Sequence, residues 1–289
     1  MRKRRISLIV GLFFLIASTT AALLEAQENG SDAAFSKTKA GSRAVVNYNG
    51  AEFAFRYCPA GTFIMGAALD EPGRLDYETQ EEATIDEGFW ICETETTQEQ
   101  WDAVGVKKGK ESQFKGAKLP VDCVTWDECD AFVKKLNSSG AVPSGWRFAL
   151  PTEEQWEYAC RAGTTGATYG VPLSDAAWHE ANSEYKSHEV GTKTPNAWGI
   201  YDMLGNVSEW TNSEYKTSDG ALLTQSTVKD SNGEPIDSNY AVWITFVFRG
   251  GSYAYGERSC RPAGRAECAQ GRWHYDLGFR VCLVPSSSK

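Results

Sequence analysis

The chain has 289 residues, which is enough for one large domain or two ordinary ones. Hydrophobic residues make up 42% and charged residues 23%, proportions that exclude a collagen, a coiled coil or a polytopic membrane protein. The 38 acidic residues outnumber the 29 basic ones, and the net charge of −9 argues against a nucleic-acid partner. Ten Trp and 27 Gly favour an irregular, loop-rich fold over a helical bundle.

The first 26 residues have the pattern of a secretory signal peptide. Residues 2–5 are all basic, an apolar run follows from Ile6 to Leu24, and Ala22 or Ala26 suits a cleavage site. The alternative is a single anchoring helix, because the run is about as long as a short membrane span. We expect signal peptide 1–26, a polar linker over residues 27–44, and an exported mature chain without a membrane span. Its expected location is the cell surface, the periplasm or the medium.

The middle of the chain carries three helix start signals. In each, a Thr is followed three residues later by Gln or Glu, which is the capping-box pattern. The three Thr residues are Thr97, Thr125 and Thr152. The second helix has an apolar stripe at helical spacing, and Gly163 is placed to end the third. Before these helices, residues 57–65 are typical of a strand, a turn and a second strand.

The last third of the chain contains two predicted strands and one long polar excursion. Residues 213–240 are rich in Ser, Asp and Thr and are typical of a surface excursion. Ala241–Phe248 is rich in β-branched and aromatic residues, and Gly278–Val284 is the predicted last strand. We therefore expect one folded domain over residues 45–285.

Three glutamates follow the third helix start signal. Glu153, Glu154 and Glu157 lie in the first turns of that helix. A helix dipole favours negative charge at this end. We interpret the three residues as an acidic helix face rather than a catalytic group.

Eight cysteines in an exported chain permit disulfides. Their spacing does not select one pairing, and some are expected to be buried as small hydrophobic residues. The chain has no Cys-x-x-Cys pair and three His, so we do not expect a zinc site.

Several stretches, in order, resemble the formylglycine-generating-enzyme-like (sulfatase-modifying-factor) domain. They are residues 61–66 (GTFIMG), 95–101 (ETTQEQW), 120–126 (PVDCVTW), 150–163 (LPTEEQWEYACRAG), 196–210 (NAWGIYDMLGNVSEW), 249–252 (RGGS) and 278–280 (GFR). The resemblance extends over about residues 45–285. It implies an α+β, C-type lectin-like fold of the formylglycine-generating-enzyme type, as a single domain with little regular secondary structure.

The resemblance leaves the function open, because the family contains copper-dependent oxidases and non-catalytic binding domains. In the oxidases, two cysteines follow the Arg-Gly-Gly-Ser block, the first about six residues after the Arg. That position is Tyr255, and Cys260 alone does not supply a pair of thiolates for copper(I). We therefore predict a non-enzymatic protein. The alternatives are a copper-dependent formylglycine-generating oxidase, another enzyme of this fold, and an envelope component without a specific ligand.

The resemblance also implies two disulfides. Cys160 is expected to pair with Cys260, and Cys282 with Cys129. The cysteines whose pairing stays open are Cys58, Cys92, Cys123 and Cys268. Two arginines of the family motifs, Arg249 and Arg280, are expected to be structural and paired with buried carboxylates or carbonyls.

A calcium site is implied by the loop at residues 202–209 (DMLGNVSE). In the family this loop holds Ca²⁺, which prefers oxygen ligands. The corresponding ligands are the side chains of Asp202 and Glu209 and the carbonyls of Gly205 and Val207. The alternative is a metal-free turn in which side chains satisfy backbone N–H groups.

Residues 253–277 are rich in Ala, Gly, Arg and Tyr and contain no Lys, Asn or Thr. Antibody binding loops have a similar composition, because aromatic rings give contact area at low entropic cost. The segment resembles that of the variable proteins of diversity-generating retroelements, treponemal ones in particular, in which adenine-directed mutagenesis rewrites codons. The alternative is an ordinary lectin-type loop. The candidate ligand contacts are Tyr255, Gly256, Arg258, Arg261, Gly264, His274 and Tyr275. The expected partner is a protein or a glycan on another cell or surface.

Overall fold

The computed structural model describes residues 33–36, 38–215 and 244–287. The predicted signal peptide, most of the predicted polar excursion and the first three residues of the predicted strand Ala241–Phe248 lie outside these ranges. Between residues 98 and 176, four helices follow one another: α1 (Gln98–Val104), α2 (Trp126–Asn137), α3 (Glu153–Arg161) and α4 (Leu173–Ala176).

Eleven strands are described. They are β1 (Arg43–Tyr48), β2 (Ala51–Cys58), β3 (Gly61–Met65), β4 (Glu81–Ile85), β5 (Phe89–Cys92), β6 (Trp146–Ala149), β7 (Ser208–Glu214), β8 (Thr245–Arg249), β9 (Arg265–Ala269), β10 (Leu277–Phe279) and β11 (Cys282–Pro285). An antiparallel sheet has the order β1-β2-β5-β11-β6. A second sheet, in the order β10-β7-β8-β9, is antiparallel except for the parallel pair β10 and β7. Strands β3 and β4 form a separate hairpin.

The three predicted capping boxes are confirmed. Thr97, Thr125 and Thr152 each accept a hydrogen bond from the backbone N–H three residues later, and the Gln or Glu side chain there bonds back. The predicted stripe of α2 is buried at Cys129, Phe132, Val133 and Leu136. These helices begin where predicted because capping depends on neighbouring residues in the sequence.

Part of the predicted linker packs on the fold. Strand β1 starts at Arg43, and Phe35 is buried with its ring centroid 5.0 Å from that of Trp90. An aromatic ring gains free energy by leaving water, which explains why this residue packs on the core. The domain therefore includes residues that the polar composition of 27–44 did not indicate.

The predicted last strand is two short strands in different sheets. Strand β10 pairs with β7, and β11 pairs with β5 and β6. The break falls at Arg280 and Val281. The chain thus passes from one sheet to the other at Arg280. The side chain of this arginine is fully buried and donates hydrogen bonds to Glu209.

Candidate functional site

The predicted variable segment begins directly after β8, at a tight turn. Gly250 and Gly251 have φ angles of 99° and 66°, a conformation that favours glycine. A Cβ atom on Gly251 would lie 2.8 Å from the Cys260 Sγ, so the turn brings Cys260 against the glycine pair. The middle of the segment is not a loop, because β9 pairs with β8 along its whole length.

Four of the predicted ligand contacts are exposed. They are Tyr255, Arg258, His274 and Tyr275, and Gly256 is half-buried. Trp273 is also exposed, at 42%, and was not among the predicted ligand contacts. Its position within a segment rich in Tyr is the sequence feature that could have identified it.

Two of the predicted ligand contacts, Arg261 and Gly264, are buried. Arg261 is 3% exposed and forms ion pairs of 2.7 Å with Glu71 and 2.8 Å with Glu78. Gly264 lies in a tight turn, where a Cβ atom would approach the Ser259 carbonyl oxygen to 2.6 Å. Arg261 therefore connects the segment to residues 66–80, between β3 and β4, which we call the acidic loop.

A cavity of about 310 Å³ lies between that acidic loop, β8 and the segment. The residues that line it are Leu75, Glu78, Ser208, Phe248, Arg249, Gly250, Gly251, Tyr255, Arg258, Ser259, Gly264, Arg265 and Ala266. Three of the predicted contacts, Tyr255, Arg258 and Gly264, are in this set. The cavity itself was not predictable, because its walls come from distant parts of the chain.

Arg249 is structural, as expected. Its guanidinium is 1% exposed, forms ion pairs with Glu157 and Glu153, and donates to the Ala263 carbonyl. Burial raises the pKa of Glu153, and the nearby arginines oppose that shift. The interpretation of Glu153 and Glu157 as an acidic helix face is therefore wrong: both are interior partners of arginine.

Arg280 is also structural. Its guanidinium forms a two-pronged ion pair with Glu209, with Nη2 and Nε each 2.6 Å from a different carboxylate oxygen. It further donates to the carbonyls of Cys92, Glu93 and Tyr201. Burial lowers the pKa of Arg280, but Glu209 and other carboxylates raise it above its ordinary value.

The predicted calcium loop has one unpartnered oxygen. Asp202 Oδ2 accepts a hydrogen bond from the Gly191 N–H, whereas Oδ1 is buried with no hydrogen-bond partner in the described chain. Glu209 has more partners, since Oε2 accepts from both Arg280 and Trp156. Oε1 accepts from Arg280. A carboxylate oxygen has two lone pairs, so Glu209 Oε1 keeps acceptor capacity.

The charge balance around this loop also fits a cation. Asp202, Glu209 and Glu95 are all buried and interact with one another and with Arg280. Burial is the main cause that raises the pKa of Asp202, to about 6, and the pKa of Glu95 well above its usual range. Among the described residues, no three His, Cys, Asp or Glu side chains are grouped as metal ligands. A calcium site here would need backbone carbonyls, as the resemblance implies.

The structure forms neither predicted disulfide. All eight cysteines lie in the described part of the chain and all are buried and free. Cys160 Sγ is 3.9 Å from the Met203 carbonyl oxygen, whereas Cys260 Sγ is 3.7 Å from that of Tyr255. Cys282 Sγ faces the Ala149 carbonyl at 3.3 Å, and Cys129 lies in the core under α2. Burial raises the pKa of Cys260 to about 12, so its thiol is protonated at neutral pH.

Residues 53–284 match the family model of the sulfatase-modifying factor enzyme 1-like domain. The chain belongs to this family. It is 30% identical over 167 residues to the formylglycine-generating enzyme of Mycobacterium tuberculosis, a match that covers 48% of this chain and 52% of the enzyme. It is 32% identical over 116 residues to the inactive C-alpha-formylglycine-generating enzyme 2 of Bos taurus, covering 35% of each. The chain thus spans about half or less of the length of these relatives.

The fold is similar to that of a variable protein. Treponema denticola variable protein 1 superposes with a TM-score of 0.63 and 26% identity, over 84% of this chain and 99% of that chain. The predicted α+β, C-type lectin-like fold is thereby confirmed. The relatives of this family member include enzymes, an inactive homologue and a variable protein.

In the described ranges no helix is long and apolar enough to cross a membrane.

Proposed function

We propose that this protein is a non-enzymatic, exported ligand-binding protein whose residues 253–277 form the binding face. The observation that carries the proposal is Tyr255, which is 44% exposed at the cavity and occupies the position at which the resemblance implies a cysteine in the oxidases. A phenol does not replace a thiolate as a ligand of copper(I). The neighbouring Cys260 is fully buried. The similarity to Treponema denticola variable protein 1 supports the same function.

The exposed residues suit a diversified surface. Tyr255, Trp273 and Tyr275 are each more than 40% exposed, while the residues that anchor the segment, Arg261 and Gly264, are buried. Rigid aromatic side chains on an anchored backbone provide contact area at low entropic cost. The partner that suits such a face is a protein or a glycan on another cell or surface.

Sequencing the codons of residues 249–282 across many isolates tests this function. We expect variation at exposed positions, namely 255, 258, 274 and 275, and constancy at Arg261 and Gly264. The codons of α2 serve as the control, because its buried stripe supports the core. A segment as constant as α2 would contradict the proposal and favour a fixed ligand or an enzyme.

A structural calcium ion at the Asp202 loop is part of the same proposal. Asp202 Oδ1 and Glu209 Oε1 are the side-chain oxygens available to it, together with the carbonyls of Gly205 and Val207. A bound cation supplies positive charge to three buried carboxylates and so stabilises the folded loop. It takes no part in ligand contact on this proposal.

Adding calcium to the chelated protein is expected to raise Tm by about 5 °C at saturation, because a ligand that binds the folded state stabilises it. Differential scanning calorimetry measures the shift. Asp202→Asn should lose most of the response, whereas Asp130→Asn, on the exposed side of α2, should keep it. An unchanged Tm in the chelated wild-type protein contradicts the calcium site.

A further inference from the structure

The cavity beside Tyr255 has the dimensions of a small-molecule site. Its volume of about 310 Å³ is at the lower end of the range of about 300–1,000 Å³ that is usual for ligand pockets. Leu75, Phe248 and Ala266 contribute apolar residues to its walls, and Gly250 and Gly251 line it as well. This space suits a ligand with a compact apolar body, such as a single ring.

Most charges on the walls of the cavity are already neutralised. Glu78 is paired with Arg261, Arg249 with Glu157, and Arg265 with Glu153. Arg258 differs from them. Within the described ranges its guanidinium has neither an ion pair nor a hydrogen bond, although the residue lines the cavity and is exposed. The walls therefore include one residue whose positive charge is uncompensated, and this residue is exposed to solvent.

Two hydrogen-bond donors accompany that charge. Arg249 lines the cavity, and its buried Nε has no acceptor in the described part of the chain. Tyr255 lines it as well, and burial raises the pKa of its phenol, so the hydroxyl keeps its proton. A buried donor such as Arg249 Nε is costly without an acceptor, and a ligand oxygen that reaches it relieves that cost, whereas the exposed Tyr255 hydroxyl adds a further donor.

We propose that this cavity binds a small organic anion with an apolar body, of the arylcarboxylate class, whose carboxylate pairs with Arg258. Charge-assisted hydrogen bonds between guanidinium and carboxylate are among the strongest in proteins. The inference rests on the proposed function, because Tyr255, Arg258 and Gly264 belong to the binding segment. The segment then has two ligands, a small anion in the cavity and a larger partner on the binding face of residues 253–277.

Isothermal titration calorimetry with phenylacetate tests the proposal, and phenylacetamide is the neutral probe of equal size. We expect phenylacetate to bind with Kd of about 0.1–1 mM, as suits ten non-hydrogen atoms, and phenylacetamide at least tenfold more weakly. Arg258→Gln should weaken phenylacetate binding at least tenfold. Arg272→Gln is the matched control, because Arg272 is exposed in the same segment but does not line the cavity.

A second variant tests the location without changing charge. Ala266→Leu places a larger apolar side chain at the cavity wall and is expected to weaken binding at least fivefold. Equal affinity for the two probes, unchanged binding by Arg258→Gln, or no binding of phenylacetate up to 10 mM would each overturn the inference. None of these results changes the codon variation expected for the segment, so this failure is distinct from failure of the proposed function.

Discussion

Replacing Arg280 with Met is expected to lower the free energy of unfolding by about 3–5 kcal/mol, because the substitution leaves the carboxylate of Glu209 buried without its cation. Both side chains are fully buried. Glu95 and Asp202 also lose the nearby cation, which lowers the pKa of both carboxyl groups in the wild-type protein. Urea denaturation followed by Trp fluorescence measures the loss.

Two controls separate this effect from a general effect of losing a cation. Lys134→Met breaks the ion pair with Asp130 on the surface of α2 and should leave the free energy of unfolding nearly unchanged. Arg280→Lys keeps the charge but loses the two-pronged geometry, so we expect an intermediate loss of the free energy of unfolding. This variant replaces Arg280→Met in the experiment if the Met variant does not fold. A loss below about 1 kcal/mol for Arg280→Met would contradict the structural role that we assign to this pair.

Replacing Tyr255 with Cys is expected to create a copper(I) site that the wild-type protein lacks. The Cys260 Sγ lies 3.7 Å from the backbone oxygen of residue 255, so the substitution adds a second thiol in the neighbourhood of an existing one. Two thiolates are soft ligands that suit copper(I), whereas a thiol and a phenol are not an equivalent pair. Competition with a chromogenic copper(I) chelator should show at least a hundredfold gain in affinity.

Leu69→Cys is the control for this gain, because Leu69 is 89% exposed on the acidic loop and a thiol there adds one ligand. The wild-type protein, supplied with copper(I), oxygen and a Cys-x-Pro-x-Arg peptide, is expected to yield no aldehyde by mass spectrometry. Oxygen-dependent conversion of that peptide by the wild-type protein would support the oxidase alternative and contradict the proposed function.

The features that the sequence predicted correctly depend on neighbouring residues. The capping boxes at Thr97, Thr125 and Thr152 involve residues three apart, and all three form. The structural roles of Arg249 and Arg280 were also anticipated from the residue type, but their partners Glu157 and Glu209, 92 and 71 positions away, were not. The resemblance of ordered motifs predicted the fold class.

The features that were missed depend on contacts between distant residues. Arg261 and Glu71 are 190 positions apart, and no local pattern indicates that they pair. Glu153 and Glu157 look like a polar helix face until Arg249 is placed beside them. The walls of the cavity likewise come from the acidic loop, β8 and the segment, so its existence follows from tertiary packing alone.

The pairing of β9 with β8 has a consequence for how freely this protein can evolve. The register runs from Thr245 opposite Ala269 to Arg249 opposite Arg265, and ladders of this kind are held by main-chain N–H and C=O groups. A non-proline substitution at an outward position leaves those groups in place. On the proposed function, side-chain identity at the outward positions of β9 is thereby uncoupled from the bonds that hold this part of the segment, which makes it permissive to repeated rewriting of its surface.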